Sequence, residues 1–336
     1  MKKEVGLLAF LIVLSLVVVG VQIKSQFDDG ASFSELKTPQ FITARNLSNT
    51  ANIVGQYGVF SIGVGLIIIT GGIDLSVGSM CALAGVLLSI ALTRWNWAWP
   101  LAALAVIGVT MLLGFAHGVL VTRMNLQPFI VTLCGLLLYR GIARFIADDA
   151  TQGFGSESDF TALRFLASGH VAGIPMTFIL LCVIAAVAWV ALHRSTYGRY
   201  LLAVGRNEEA ARFSGINTRR IITSAYVIGA MLTGIAAIMI ALYTNQVTPS
   251  LHGNFYELWG IAAAVLGGCS LRGGEGSIIG IILGTMILQV LPNVVILLGI
   301  PSSLDFAVLG AVLLIGVLAD ELLKRRARRK LMQQRQ

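Results

Sequence analysis

Asp74 stands in the stretch Gly71-Gly72-Ile73-Asp74-Leu75-Ser76-Val77-Gly78, which interrupts a long apolar run. It is the only acid between Glu35 and Asp148. A carboxylate there can do two things. It can accept the free N–H groups at the start of a following helix, or it can serve a substrate or a proton inside the molecule. Capping alone would account for the residue. Arg140 and Arg144, four positions apart, share one face of another apolar run. Charge inside a membrane is costly and points to function. The plainer reading puts both near a helix end, snorkelling toward Asp148 or Asp149. That reading is preferred for Arg144, while Arg140 stays, with Asp74, a candidate for the translocation path or its gate.

Other chemistry is poorly supplied. Cys81, Cys134, Cys182 and Cys269 all lie in apolar segments, form no CxxC pair and read as small packing residues. His117 also lies in an apolar run and reads as packed, not catalytic. No HExxH, GxSxG or paired-carboxylate pattern occurs. No glycine-rich loop ends in Gly-Lys-Ser/Thr, so the chain is expected to hold no ATP site, cofactor or metal of its own.

The elements that carry these residues are set by composition. Of 336 residues, 56% are hydrophobic and 12% charged, against about 25% charged in an ordinary soluble domain. The apolar residues come in blocks near the ~20 residues that cross a bilayer. The chain therefore reads as an all-α polytopic membrane protein of about ten spans, near 5–23, 51–70, 79–93, 99–121, 128–147, 174–192, 220–243, 256–269, 277–298 and 304–320. The spans near 79–93 and 256–269 are short enough to be tilted, broken or re-entrant. Lys2 and Lys3 give the first block a signal-like start, but no small-x-small site follows, so it reads as a retained helix.

Basic residues give the orientation. With both termini in the cytoplasm, 17 of the 24 Lys and Arg fall in inner segments and 5 in outer ones. The net charge of +8 is thus explained by a membrane surface, and nucleic acid is not an expected partner. Trp95, Trp97 and Trp99 read as an outer interfacial belt. The organisation expected is a first helix and polar outer loop over 1–50, a core over 51–320 and a basic cytoplasmic tail over 321–336. Outer loops near 24–50 and 148–173 are polar, the second with Asp148, Asp149, Glu157 and Asp159.

Within the core, segment 193–219 mixes Leu201, Leu202, Val204, Ala210, Ala211 and Phe213 with charges. It reads as one or two short amphipathic helices at the inner surface. Such a segment can lie on lipid, but Glu208 and Glu209 would be repelled by anionic lipid and favour a protein partner. A second glycine-rich break holds Gly267, Gly268, Gly273, Gly274 and Gly276, followed by Gly280 and Gly284. The last three recur every four residues, the small-xxx-small pattern of close helix packing. Gly71, Gly72 and Gly78 are assigned the same packing role.

Taken in order, GGIDLSVGSM at 71–80, QPFIVTLCGLLLYRGIA at 127–143, GRYLLAVGRNEEAARFSGI at 198–216 and GGCSLRGGEGSIIGIILG at 267–284 resemble the permease subunits of ribose-type bacterial sugar importers of the ATP-binding-cassette class. The resemblance runs from about residue 51 to 320. Arg206 and the Gly268-Cys269-Ser270 step depart slightly from the family pattern. The resemblance implies a bacterial inner-membrane protein, paired with a second permease subunit, homo- or heteromeric. It implies a cytoplasmic ATPase that carries ATP and Mg, and an extracytoplasmic sugar-binding protein. Gly205, Asn207, Glu208, Glu209, Ala211, Gly215 and Ile216 match the family's ATPase-coupling loop, which passes nucleotide-driven closure to the spans. Other cargo (nucleosides, branched-chain amino acids, a signalling furanose) would fit the same class. An ion-coupled transporter would need more buried ionisable groups, and a passive channel a visible filter.

Overall fold

The computed structural model describes residues 2–28, 37–155, 160–299, 301–304, 306–312, 314–315 and 318. The expected basic tail, Glu157 and Asp159 lie outside the described residues. Twelve α-helices carry the described chain: α1 (Lys2–Asp28), α2 (Ala44–Ile69), α3 (Val77–Thr93), α4 (Trp99–Arg123), α5 (Pro128–Ile146), α6 (Thr161–Ser168), α7 (Met176–His193), α8 (Thr196–Arg206), α9 (Glu208–Phe213), α10 (Thr218–Thr244), α11 (Tyr256–Leu266) and α12 (Ile278–Leu297). Residues 306–312 are helical as well, so the expected span over 304–320 is described only in part.

Seven of these helices are long and apolar enough to cross a membrane, and α3 and α11 are shorter apolar helices. The helices α2 and α10 form the buried centre, while α1, α4, α5 and α7 turn apolar faces outward. Small residues let the central helices approach. A Cβ on Gly63 would stand 2.9 Å from the Gly229 carbonyl oxygen, and one on Gly114 2.5 Å from that of Tyr226. Lipid offers no hydrophobic force between helices, so this close packing is what holds them. Hydroxyls inside the bundle bond back to their own helix, as Ser61 does to the Tyr57 carbonyl and Thr233 to that of Gly229. These hydroxyls thereby satisfy themselves without reaching the hydrocarbon.

At one end, α1 meets α12 where the Ser277 hydroxyl donates to the Glu4 carboxylate at 2.5 Å. At the other end of α1, Val18 packs with Val290 and Val294, and the Gln22 side chain accepts from the Phe41 N–H. The two helices therefore run side by side in the same direction. The end that carries Trp95 and Trp97 holds α6 and two short antiparallel pairs, Gln152–Gly153 with Gln246–Val247 and His170–Val171 with Ile174–Pro175. Both tryptophans are exposed there, with ring centroids 5.2 Å apart.

Segment 193–219 forms two short helices, and its sequence says where each begins. The Ser195 hydroxyl accepts from the Gly198 N–H, Asn207 from Ala210 and Asn217 from Arg220. These three caps start α8, α9 and α10 in turn.

Candidate translocation and coupling sites

The short helix α11 has 11 residues. At 1.5 Å rise that is about 16 Å, roughly half of a ~30 Å hydrocarbon core. The chain reaches its start by a fold-back: after Gln246–Val247 it descends alongside α3, from the level of Gly85 to that of Gly78. The descent ends in a backbone-to-backbone contact. A Cβ on Gly78 would lie 2.0 Å from the Gly253 carbonyl oxygen, and Gly253 itself has φ +74°. Only glycine fits either position. The starts of α3 and α11 thus meet inside the bundle, and Gly78 packs against this turn and against Glu257 in the first turn of α11.

Arg140 fixes the turn. Its Nη1 donates to the carbonyl oxygens of Pro249 at 2.9 Å and His252 at 2.5 Å. One cation therefore holds two carbonyls that no helix or strand satisfies. Its acidic neighbour is Glu257, whose Oε2 would stand 2.5 Å from a Cβ on Gly78. Glu257 is half-buried, and Ser250, Asn254, Phe255 and Leu258 are exposed on the same fold-back. The sequence reading passed over Glu257. It stands inside the expected span 256–269, and an acid in an apolar run was the available signal.

Arg144 takes no part in this site. It is half exposed and ion-paired with Asp149, Nε to Oδ1 at 2.7 Å. The guanidinium holds the Asp149 carboxyl below its usual range.

Asp74 lies elsewhere. Its Oδ1 accepts from both the N–H and the hydroxyl of Ser76, at 2.8 and 2.6 Å, just before α3. The residue is 2% exposed. Around it stand His117 on α4, Tyr139 on α5 and Tyr226 on α10, each within reach of its charge. The structure therefore separates the two candidates: Arg140 holds the fold-back, and Asp74 organises the segment 70–76. Glu257 feels both charges.

The second glycine break joins α8 to the bundle. The Gly274 N–H donates to the Ile69 carbonyl at 2.8 Å, at the end of α2. Gly205 of α8 is wedged against both: its Cβ would lie 1.8 Å from the Ile69 oxygen and 2.5 Å from the Gly274 nitrogen. Gly71, Gly268, Gly273 and Gly274 all take positive φ in these turns, and a Cβ on Gly72 would stand 2.7 Å from the Tyr226 hydroxyl. Gly267 packs on Gly280, and Gly284 on the Ala263 carbonyl, between α11 and α12. Gly276 does not share that helix face, because Ser277 is the N-cap of α12; it packs on Ile69 instead.

Along α9 and its flanking turns, Asn207, Glu208, Glu209 and Gly215 are exposed, while Ala211 is buried and Ile216 half-buried. Phe213 is 80% exposed beside Arg212. An apolar ring held out from a charged segment suits a protein surface better than water.

This is the frame of a polytopic membrane permease: a packed helical bundle with a half-helix inside it and a capped helix pair at one end. Residues 46–317 match the family model described as branched-chain amino acid transport system / permease component, and the chain belongs to that family. It is 36% identical over 284 residues to the ribose import permease protein of Escherichia coli strain K12, covering 84% of this chain and 88% of that one. It is 35% identical over 295 residues to the ribose import permease protein of Bacillus subtilis strain 168, with 84% and 86% covered. Over 344 aligned residues it is 30% identical to the xylose transport system permease protein of Escherichia coli strain K12, with 85% and 87% covered. The chain is a multi-pass protein of the inner membrane. As a permease component it works with a separate ATPase and a solute-binding protein.

Proposed function

We infer that this chain forms the translocation path of an ATP-binding-cassette importer for a monosaccharide of the ribose class. The observation that carries the path is the fold-back at 248–255. The side chains of Ser250 and Asn254 are exposed on this irregular backbone, beside the half-buried Glu257. Hydrocarbon does not tolerate such a surface, so it must face water or protein. A water-filled path closed by a second permease subunit, identical or paralogous, meets that need. Weak polar contacts along it suit a cargo rich in hydroxyls. The sugar assignment draws on relatives named for ribose, fructose and xylose. The family description names branched-chain amino acids, and this is the second reading.

In this reading both termini and α8–α9 are cytoplasmic and the chain spans the bilayer ten times, as the basic residues suggest. The ATPase holds ATP and Mg and docks on Gly205, Asn207, Glu208, Glu209, Ala211, Gly215 and Ile216. Its closure is passed through Gly205 to Ile69 and the glycine turn. Alternation needs only that nucleotide favour one state over the other. Uptake of labelled sugars and of leucine tests the cargo, in proteoliposomes holding the chain, its ATPase and its binding protein. ATP-dependent accumulation of a pentose is expected. Accumulation of leucine alone would transfer the assignment to the second reading, and gradient-driven uptake without the ATPase would remove the class.

A further inference from the structure

We propose that Asp74, His117 and Tyr226 enclose a bound water molecule that ties the segment 70–76 to α4 and α10. Three observations meet here. The Tyr226 hydroxyl is fully buried and has no hydrogen-bond partner. His117 is 2% exposed; its Nε2 pairs with the Tyr139 hydroxyl at 2.7 Å, while Nδ1 has no partner. Both hydrogen bonds that Asp74 accepts fall on Oδ1, which leaves Oδ2 for a further donor.

The geometry draws these groups together. The His117 and Tyr226 rings meet edge to face, with centroids 6.3 Å apart. The charge of Asp74 reaches both. Gly72, two residues before Asp74, lacks the Cβ that would stand 2.7 Å from the Tyr226 hydroxyl. An unpaired polar atom inside a protein carries the full cost of its lost hydration. Two such atoms beside a carboxylate with a spare oxygen supply the two to four polar partners a buried water needs. The water then ties the segment 70–76 to α4 and α10, which the Thr122 and Thr223 hydroxyls already join to each other at 3.3 Å. It sits five residues from Ile69, where α8 is seated, so it stiffens the link between the coupling helices and the bundle.

Thermal unfolding of the full chain in lipid nanodiscs tests this with Tyr226→Phe, which removes the hydroxyl and keeps the ring. If water is bound, the variant loses a hydrogen bond and Tm falls by about 1–3 °C. If the hydroxyl is truly unpaired, its removal relieves a penalty, and Tm stays or rises; that result overturns the proposal. Asp74→Asn combined with Tyr226→Phe is expected to cost less than the two singles together, because both act on one water; strict additivity counts against it. An electron cryo-microscopy map that resolves waters should show density within about 2.6–3.2 Å of the Tyr226 Oη and His117 Nδ1, absent in Tyr226→Phe. Empty space there contradicts the proposal. So does a Tm rise specific to sodium or potassium over choline that Tyr226→Phe abolishes, which would make the occupant a cation.

Discussion

The two glycine-rich breaks look alike in sequence and do different physical work. The first, 71–78, turns back into the bundle and brings a buried carboxylate with it. Its two polar side chains, Asp74 and Ser76, bond to each other and to the backbone where α2 has ended. The second, 267–276, stays at the end of the bundle and works through main-chain contact, seating α8 on the end of α2. They meet at Gly71 and Gly273, where a Cβ on Gly273 would stand 2.9 Å from the Gly71 nitrogen. Glycine serves the second break by removing side chains between two backbones; in the first it does this at Gly78 and opens room for a polar group, the Tyr226 hydroxyl, at Gly72. The lesson is that a glycine motif in a membrane protein must be read by what fills the space its missing Cβ leaves.

Substitutions can break this contrast, beginning with the largest effect. Gly205→Leu drives a side chain into the Ile69 carbonyl and the Gly274 nitrogen. No rotamer relieves a clash at Cβ, so folded protein should fall severalfold by fluorescence-detected size exclusion. Wild-type yield and uptake would remove the seating of α8. Gly280→Leu at the α11–α12 contact should act likewise, since its Cβ would lie 2.0 Å from the Gly267 carbonyl oxygen.

Arg140→Ala comes next. It strips two internal carbonyls of their donor, a loss of about 2–4 kcal/mol, and it releases the fold-back. Uptake should drop at least tenfold while the chain still inserts, and Arg140→Lys should restore only part of it. A fully active Arg140→Ala would separate the fold-back from transport.

Charge reversal of Glu208 with Glu209 to lysine sharpens the comparison, because it touches neither break. Tm should stay within about 1 °C, as expected of surface positions, while coupled uptake and ATPase assembly are lost. Normal assembly in that variant removes the docking assignment. The smallest effect belongs to Asp149→Asn. The folded carboxyl lies below its ordinary range, so the pair stabilises above that range and its contribution fades as pH falls through it. Both partners are exposed, so melting curves at pH 7 should barely move.

Much of this was legible in the sequence. Apolar block lengths marked the helices, and the Ser195, Asn207 and Asn217 caps fall within 193–219, read as one or two short amphipathic helices. The blocks at 79–93 and 256–269 read as short enough to be tilted, broken or re-entrant, and α3 and α11 are the shorter apolar helices. What stayed hidden was convergence in space. His117, Tyr139 and Tyr226 come from three helices and carry no local pattern, so nothing in their spacing pointed to Asp74. Arg140 was singled out for its cost in a membrane, but its partners are carbonyls 109 and 112 residues away. A carbonyl has no sequence signature. Gly276 was misassigned because a four-residue period does not show where a helix starts; Ser277, a capping residue, does.

The central claim is that the fold-back before α11 lines an aqueous path, and Asn254→Cys tests it most directly. The background is a chain carrying Cys134→Ser and Cys182→Ser, since both native thiols are exposed. Reconstituted with its ATPase and binding protein, the variant is treated with a charged, membrane-impermeant thiol reagent. The account predicts rapid labelling that changes severalfold when ATP and vanadate trap the complex. Labelling only by a lipid-soluble reagent, with no change on trapping, would place this surface in lipid and contradict it.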